Sequence, residues 1–232
     1  MTTYKGIQGY MIQTLASDPT ASENEGRMWY NTTSNTWKVS VAGAGAWATG
    51  NDSARSGTTD GEMSGTQTAG LYAGGYAPAP TLSRDETETF NGTTWTEVND
   101  LNTARYAAWM AGTQTASVFA SGQITAPSAL SETWDGTCWT ETNNIQTARH
   151  NPGVAGTQTN GLMISGQTPT PTTACEDYDG TSWSTGTAIN SARYSGGGGG
   201  ASSTSAIFAG GADPSTYYLQ ISETWNGSTW TE

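Results

Sequence analysis

Self-similarity at a step of about 44 residues constrains this 232-residue chain more than any other feature. The phrase ETFNGTTWTEVNDLNTAR, residues 88–105, returns as ETWDGTCWTETNNIQTAR at residues 132–149. FNGTTW, WDGTCW, YDGTSW and WNGSTW end at Trp95, Trp139, Trp183 and Trp230, and SAR, TAR, TAR and SAR end at Arg55, Arg105, Arg149 and Arg193. Between these landmarks stand GTQTA at Gly65 and Gly112, GTQTN at Gly156 and a looser GASSTSA at Gly200, each followed by a small, apolar run. A repeat of this length is one supersecondary unit that buries its faces against its neighbours.

Each unit reads as four short antiparallel strands. The first begins near the Arg and ends at the GTQT turn, the second is the run such as SVFASG, and the third passes through the Glu-Thr-aromatic triplet. Asp-Gly or Asn-Gly then supplies the positive φ that a tight hairpin demands, and the fourth strand starts at the Trp. Composition agrees: 30 Gly, 10 Trp, 10 Tyr and 12% charged residues suit short strands and many turns, with almost no helix. The aromatic rings supply the apolar area that a disordered polymer of similar hydropathy lacks.

The order of Arg, an apolar strand ending in Gly-Gly or Ser-Gly, then aromatic-Asp/Asn-Gly and Trp resembles the kelch motif. That resemblance covers residues 55–232 and implies an all-β fold, a β-propeller of four-stranded antiparallel blades. The Asp-box of sialidase propellers shares the GTTW and GSTW endings, but it needs Asp two residues before the Gly, where this chain has Phe90, Trp134, Tyr178 and Trp225. Five blades are expected. Residues 1–26 form an arm for docking or an inner strand, residues 27–55 a divergent first blade, and four repeats span about 55–98, 99–142, 143–186 and 187–232. Four blades plus an arm, or an open array completed by another chain or by residues beyond Glu232, are the alternatives.

Four of eight cations recur in step with Glu88, Glu132, Glu176 and Glu223, so each Arg is expected to cap carbonyls or pair with a Glu between blades. The recurring Trp residues are read as packing between blades. The framework is copied, whereas the second-to-third connections differ: residues 76–85, 123–130, 167–174 and 212–220. Rigid scaffolds with divergent loops bind partners there. Tyr76, Arg84, Gln123, Gln167, Tyr217 and Tyr218 are the candidate ligand-facing residues.

No catalytic, cofactor-binding or metal-binding residue is expected. His150 is the one histidine, Cys138 and Cys175 form no CxxC pair, and Gly196–Gly200 lacks the Lys and helix of a phosphate loop. A formal charge of -12 disfavours nucleic acid and anionic membrane as partners. No apolar run is long enough for a spanning helix, and residues 1–16 do not read as a secretory signal. The phrases YKGIQG, SDPTASENEGRMWYNTTSNTWKV and GAGAWATG, leading into the NTAR and GTQTA repeats, are similar to kelch-like structural proteins of tailed phages, particularly of marine bacteria. The resemblance implies a non-enzymatic virion protein: a tail fibre, a tail-associated part or a capsid decoration. It would dock on other virion proteins through its arm, assemble as a homo-oligomer and turn its variable face to a host glycan or protein. A sugar-binding propeller and a cellular interaction scaffold are the other readings.

Overall fold

The computed structural model describes residues 13–15, 28–39, 51–53, 58–80 and 82–232. The chain divides into two compact units, Met1–Thr49 and Gly50–Glu232. In the first, β1 (Gln13–Leu15), from the expected arm, and β2 (Met28–Asn31) and β3 (Thr36–Val39), from the expected divergent blade, share one three-stranded sheet. There β1 runs parallel to β2, and β2 antiparallel to β3. Asn31 Oδ1 accepts the Thr33 and Ser34 N–H groups at 3.0 and 2.9 Å, which folds the turn between them.

The second unit holds four four-stranded antiparallel sheets. Sheet 1 is β4 (Glu62–Thr66), β5 (Ala69–Ala73), β6 (Thr87–Phe90) and β7 (Trp95–Val98). Sheet 2 is β8 (Trp109–Thr113), β9 (Ala116–Ala120), β10 (Ser131–Trp134) and β11 (Trp139–Glu141). Sheet 3 is β12 (Gly153–Thr157), β13 (Asn160–Ile164), β14 (Cys175–Tyr178) and β15 (Trp183–Thr185). Sheet 4 is β16 (Gly197–Ser202), β17 (Ser205–Ala209), β18 (Ser222–Trp225) and β19 (Trp230–Thr231). The third-to-fourth turns have a common cause: Asn91, Asp135, Asp179 and Asn226 each accept two N–H groups two and three residues on, at 2.8–2.9 Å. The Gly that follows each sits at φ between +89° and +94°.

Three apolar layers lie between successive sheets. Leu71 and Ala73 of sheet 1 meet Met110, Phe119, Trp134 and Trp139 of sheet 2. Val118 and Ala120 meet Met163, Tyr178 and Trp183; Leu162 and Ile164 meet Phe208, Trp225 and Trp230. Sheets 2, 3 and 4 therefore each send their turn-flanking aromatic pair back onto the sheet before. The innermost strands come close enough that a Cβ on Gly198 would lie 2.4 Å from the Val154 nitrogen. Backbone hydrogen bonds stitch the series. Ala107 donates to Asp60 (2.9 Å), Asn151 to Ala107 (2.7 Å) and Ser195 to Asn151 (3.0 Å), with the three donors at φ of +52° to +55°.

The expected closed five-bladed propeller is not what forms. The four sheets are separate, none closes on itself, and no described hydrogen bond carries the stitch from Ser195 back to Asp60. The sheet of the first unit has three strands and a parallel pair, unlike any repeat. The physical reason is that each repeat encodes the same junction with its neighbour, whereas closure depends on the rotation accumulated over all the sheets, which no single repeat records. The ends show the lack of closure directly. Ile207 is 46% exposed, while Leu71, Val118 and Leu162 at the same strand position are 0%, 0% and 1% exposed. Met63 is 58% exposed, and its counterpart Met110 is 3%.

Candidate functional site

Three of the four recurring Arg residues are described and are wholly buried; Arg55 lies outside the described residues. Each pairs with the Glu on the third strand of its own sheet, not of a neighbouring one: Arg105 with Glu132 (2.5 Å), Arg149 with Glu176 (2.5 Å) and Arg193 with Glu223 (2.6 Å). The remaining guanidinium donors reach carbonyls. Arg149 donates to Thr147 (3.1 Å), Ser165 (3.1 Å) and Ala174 (2.8 Å), and Arg105 to Thr103, Phe119 and Ser121. Arg105 and Arg193 also lie 4.8 and 4.4 Å over the rings of Phe119 and Phe208. Glu88 is buried at the same place in sheet 1.

An amide three residues before each of Arg105, Arg149 and Arg193 completes the motif, and it was missed in the sequence although its spacing is the same in all three. Asn102 donates its backbone and side-chain N–H to Glu132, Asn190 does the same to Glu223, and Gln146 donates its backbone N–H to Glu176. Burial depresses the Arg105 and Arg149 guanidinium pKa values and the paired Glu opposes it. Burial by itself would raise the Glu223 carboxyl, but hydrogen bonds from Arg193 and Asn190 outweigh it and hold that group below the ordinary range. A charge pair consumed in this way clamps the first, second and third strands of one sheet; it is framework.

The recurring Trp residues are framework as well. Trp139 and Trp183 donate their indole N–H to Thr87 and Ser131, the residues that open the third strand of the preceding sheet. Cys175 occupies that place in sheet 3, and Trp230 donates to the Thr187 carbonyl instead. Trp95 is half-buried and donates to Asn51.

The ligand-facing candidates converge at one end of the sheets, opposite the GTQT and Asx-Gly turns. Tyr76, Gln123 and Gln167 are half-buried and bridge Thr59, Tyr106 and His150. Tyr194 bridges Ala212 in the last unit. The Tyr76 and Tyr106 rings meet edge-on at 5.0 Å, joining the loops of sheets 1 and 2. Tyr106 and Tyr194 were not singled out from the sequence, and His150 only as the one histidine with no ligand-facing role; the available signal is that a ring, Tyr, His or Tyr, follows each of Arg105, Arg149 and Arg193. Burial holds His150 below the ordinary histidine pKa, and its Nδ1 has no hydrogen-bond partner. Tyr217 and Tyr218 project from the last loop, 67% and 89% exposed. Asp213 braces that loop by accepting from the backbone N–H and hydroxyl groups of Ser215 and Thr216. Arg84 is held by Glu86 at 2.6 Å.

One depression of about 520 Å³ lies on the outer strands between Glu97–Asn99 and Gly136–Thr137, and another of about 230 Å³ is lined by Asp177, Tyr178, Asp179 and Ser203. Among the described residues no group of three His, Cys, Asp or Glu side chains is placed to hold a metal ion. The exposed Cys138 and buried Cys175 are both free thiols.

Glu62, the first residue of β4, is a carboxyl held well above its ordinary range. Desolvation pushes its pKa up to about 7, the Ala108 backbone opposes this, and Asp60 adds to it. Because the folded pKa exceeds the unfolded one, its contribution to stability is fully present below about pH 4.5 and is lost as pH rises through about 7. Glu62→Gln is expected to flatten that decline, raising stability at pH 8 by roughly 1–3 kcal/mol and leaving pH 4 little changed. Urea denaturation at both pH values measures it; equal effects at the two would refute the assignment.

The comparison with protein families found no family model that matches the chain, and no curated protein matches it. The resemblance to kelch proteins and to kelch-like phage structural proteins is therefore corrected, together with the propeller and tail-fibre descriptions drawn from it. The phrases that carried it perform local tasks, an Asx-capped turn, an indole hydrogen bond and an intra-sheet ion pair, which specify a four-stranded unit and not a lineage.

Proposed function

We propose that the chain is a non-catalytic carbohydrate-recognition module whose ligand lies across the loop end of the four-sheet unit. The observation that carries this reading is the row of half-buried Tyr76, Tyr106, Gln123, His150, Gln167 and Tyr194, continued by the projecting Tyr217 and Tyr218. Aromatic faces stack on the apolar side of a pyranose ring, while amide, hydroxyl and imidazole groups meet its hydroxyls. Rigid sheets fix the spacing, so little ordering entropy opposes binding.

The charges point to neutral saccharides. The described cations of this unit are Arg84, tied to Glu86, and the three buried Arg residues, so among the described residues every guanidinium is already paired with a Glu and none is left over for a uronate, sialate or sulfate. A glycan array probed with the full chain is expected to show binding to neutral oligosaccharides. The double variant Tyr217→Ala/Tyr218→Ala and the single variant Tyr194→Ala should each weaken it about tenfold, the worth of one good stacking contact. Absence of binding to every glycan, or binding indifferent to all three tyrosines, removes the reading.

A further inference from the structure

The two ends of the four-sheet row are halves of an interface that the chain already makes three times. Each internal junction seats the same positions. On the earlier sheet these are a second-strand aliphatic, Leu71, Val118 or Leu162; on the later sheet they are an inner-strand residue and a second-strand residue, Met110 with Phe119, Val154 with Met163, and Gly198 with Phe208. Polar groups repeat too. The glycine after each second strand donates to the Arg carbonyl of the next unit: Gly75 to Arg105 (3.0 Å), Gly122 to Arg149 (2.9 Å) and Gly166 to Arg193 (3.3 Å). The turn glutamine reaches back to two carbonyls of the sheet before it, Gln114 to Gly70 and Phe90, and Gln158 to Ser117 and Trp134.

Sheet 4 presents the earlier half, and no described residue of the four-sheet unit is seated on it. Ile207 is 46% exposed, and Gly211, the counterpart of Gly75, donates to no described residue. Sheet 1 presents the later half: Met63 is 58% exposed, and Gln67 is exposed with no described partner for its amide. We infer that the chain associates head to tail with a second copy of itself, the open face of sheet 4 seating Met63, Tyr72 and the Gln67 turn of the next copy's sheet 1. Another copy is the occupant because GTQT glutamines occur only at positions 67, 114 and 158, and the last two are engaged inside the chain. Such a contact is heterologous, so it propagates into a row or closes into a ring according to the rotation between copies.

Sedimentation of the full chain over a wide concentration range tests this. The wild-type chain is expected to associate increasingly with concentration, and Ile207→Glu and Met63→Glu, each blocking one end, to abolish association separately. An equimolar mixture of the two variants should then form a one-to-one dimer through their intact ends, which also shows that both are folded. A wild-type chain that stays monomeric at its highest soluble concentration overturns the inference. Association that neither substitution alters, or variants that fail to pair when mixed, overturns it as well.

Discussion

Arg149→Met is expected to lower the free energy of unfolding by about 3–5 kcal/mol, the cost of stranding one partner of a buried ion pair. The substitution removes the donor to Thr147, Ser165 and Ala174 and leaves the Glu176 carboxylate, 2% exposed, with only the Gln146 and Thr147 backbone N–H groups. Since folded domains are stable by roughly 5–15 kcal/mol, sheet 3 should be the first part of the row to open. Denaturant titration gives the total, and amide exchange locates the loss. Replacing both partners, Arg149→Met with Glu176→Leu, should recover much of the deficit, because two apolar side chains leave no uncompensated charge. Arg84→Met removes a half-exposed pair and should cost no more than about 1 kcal/mol. If Arg149→Met proves as mild as Arg84→Met, the clamp is not what holds the first three strands together.

Trp139→Ala should cost a comparable amount, about 3–5 kcal/mol, through the cavity left between sheets 1 and 2. Its indole is 5% exposed, lies 5.3 Å from Trp134 and 6.1 Å from Phe119, and donates to Thr87 at 3.0 Å. Trp95→Ala removes the residue at the same place in the repeat, but from a face that no preceding four-stranded sheet covers, and should cost on the order of half as much. Thermal unfolding of the two variants compares them, and equal losses would mean that the end face is as tightly packed as an internal one. The contrast matters because identical sequence positions acquire different energies only from what lies against them.

Much of the unit was legible because its determinants are local. Asn91, Asp135, Asp179 and Asn226 fold the turns they were expected to fold, by capping N–H groups two and three residues away. The recurrence of Arg with Glu disclosed that the two belong together; it did not disclose that they share one sheet, since an ion pair across a junction would recur with the same period. The loop-end row was half legible. Tyr76, Gln123 and Gln167 stand in segments that differ among repeats, whereas Tyr106, His150 and Tyr194 hide beside the most constant residue of each unit and are brought to the same surface only by the bridges Tyr106–Gln123 and His150–Gln167.

The amino-acid sequence by itself determined the four-stranded unit and its turn chemistry, because hydrogen bonds between near neighbours and alternation of apolar residues write themselves into every repeat; it did not determine the count, since five units were expected and four four-stranded sheets form. Tertiary structure alone decided that the row stays open, with Met63 and Ile207 uncovered at its ends. The same junction is written into every repeat, but whether the first and last faces meet depends on the rotation summed over the sheets, and that sum belongs to the assembled structure and not to any local period.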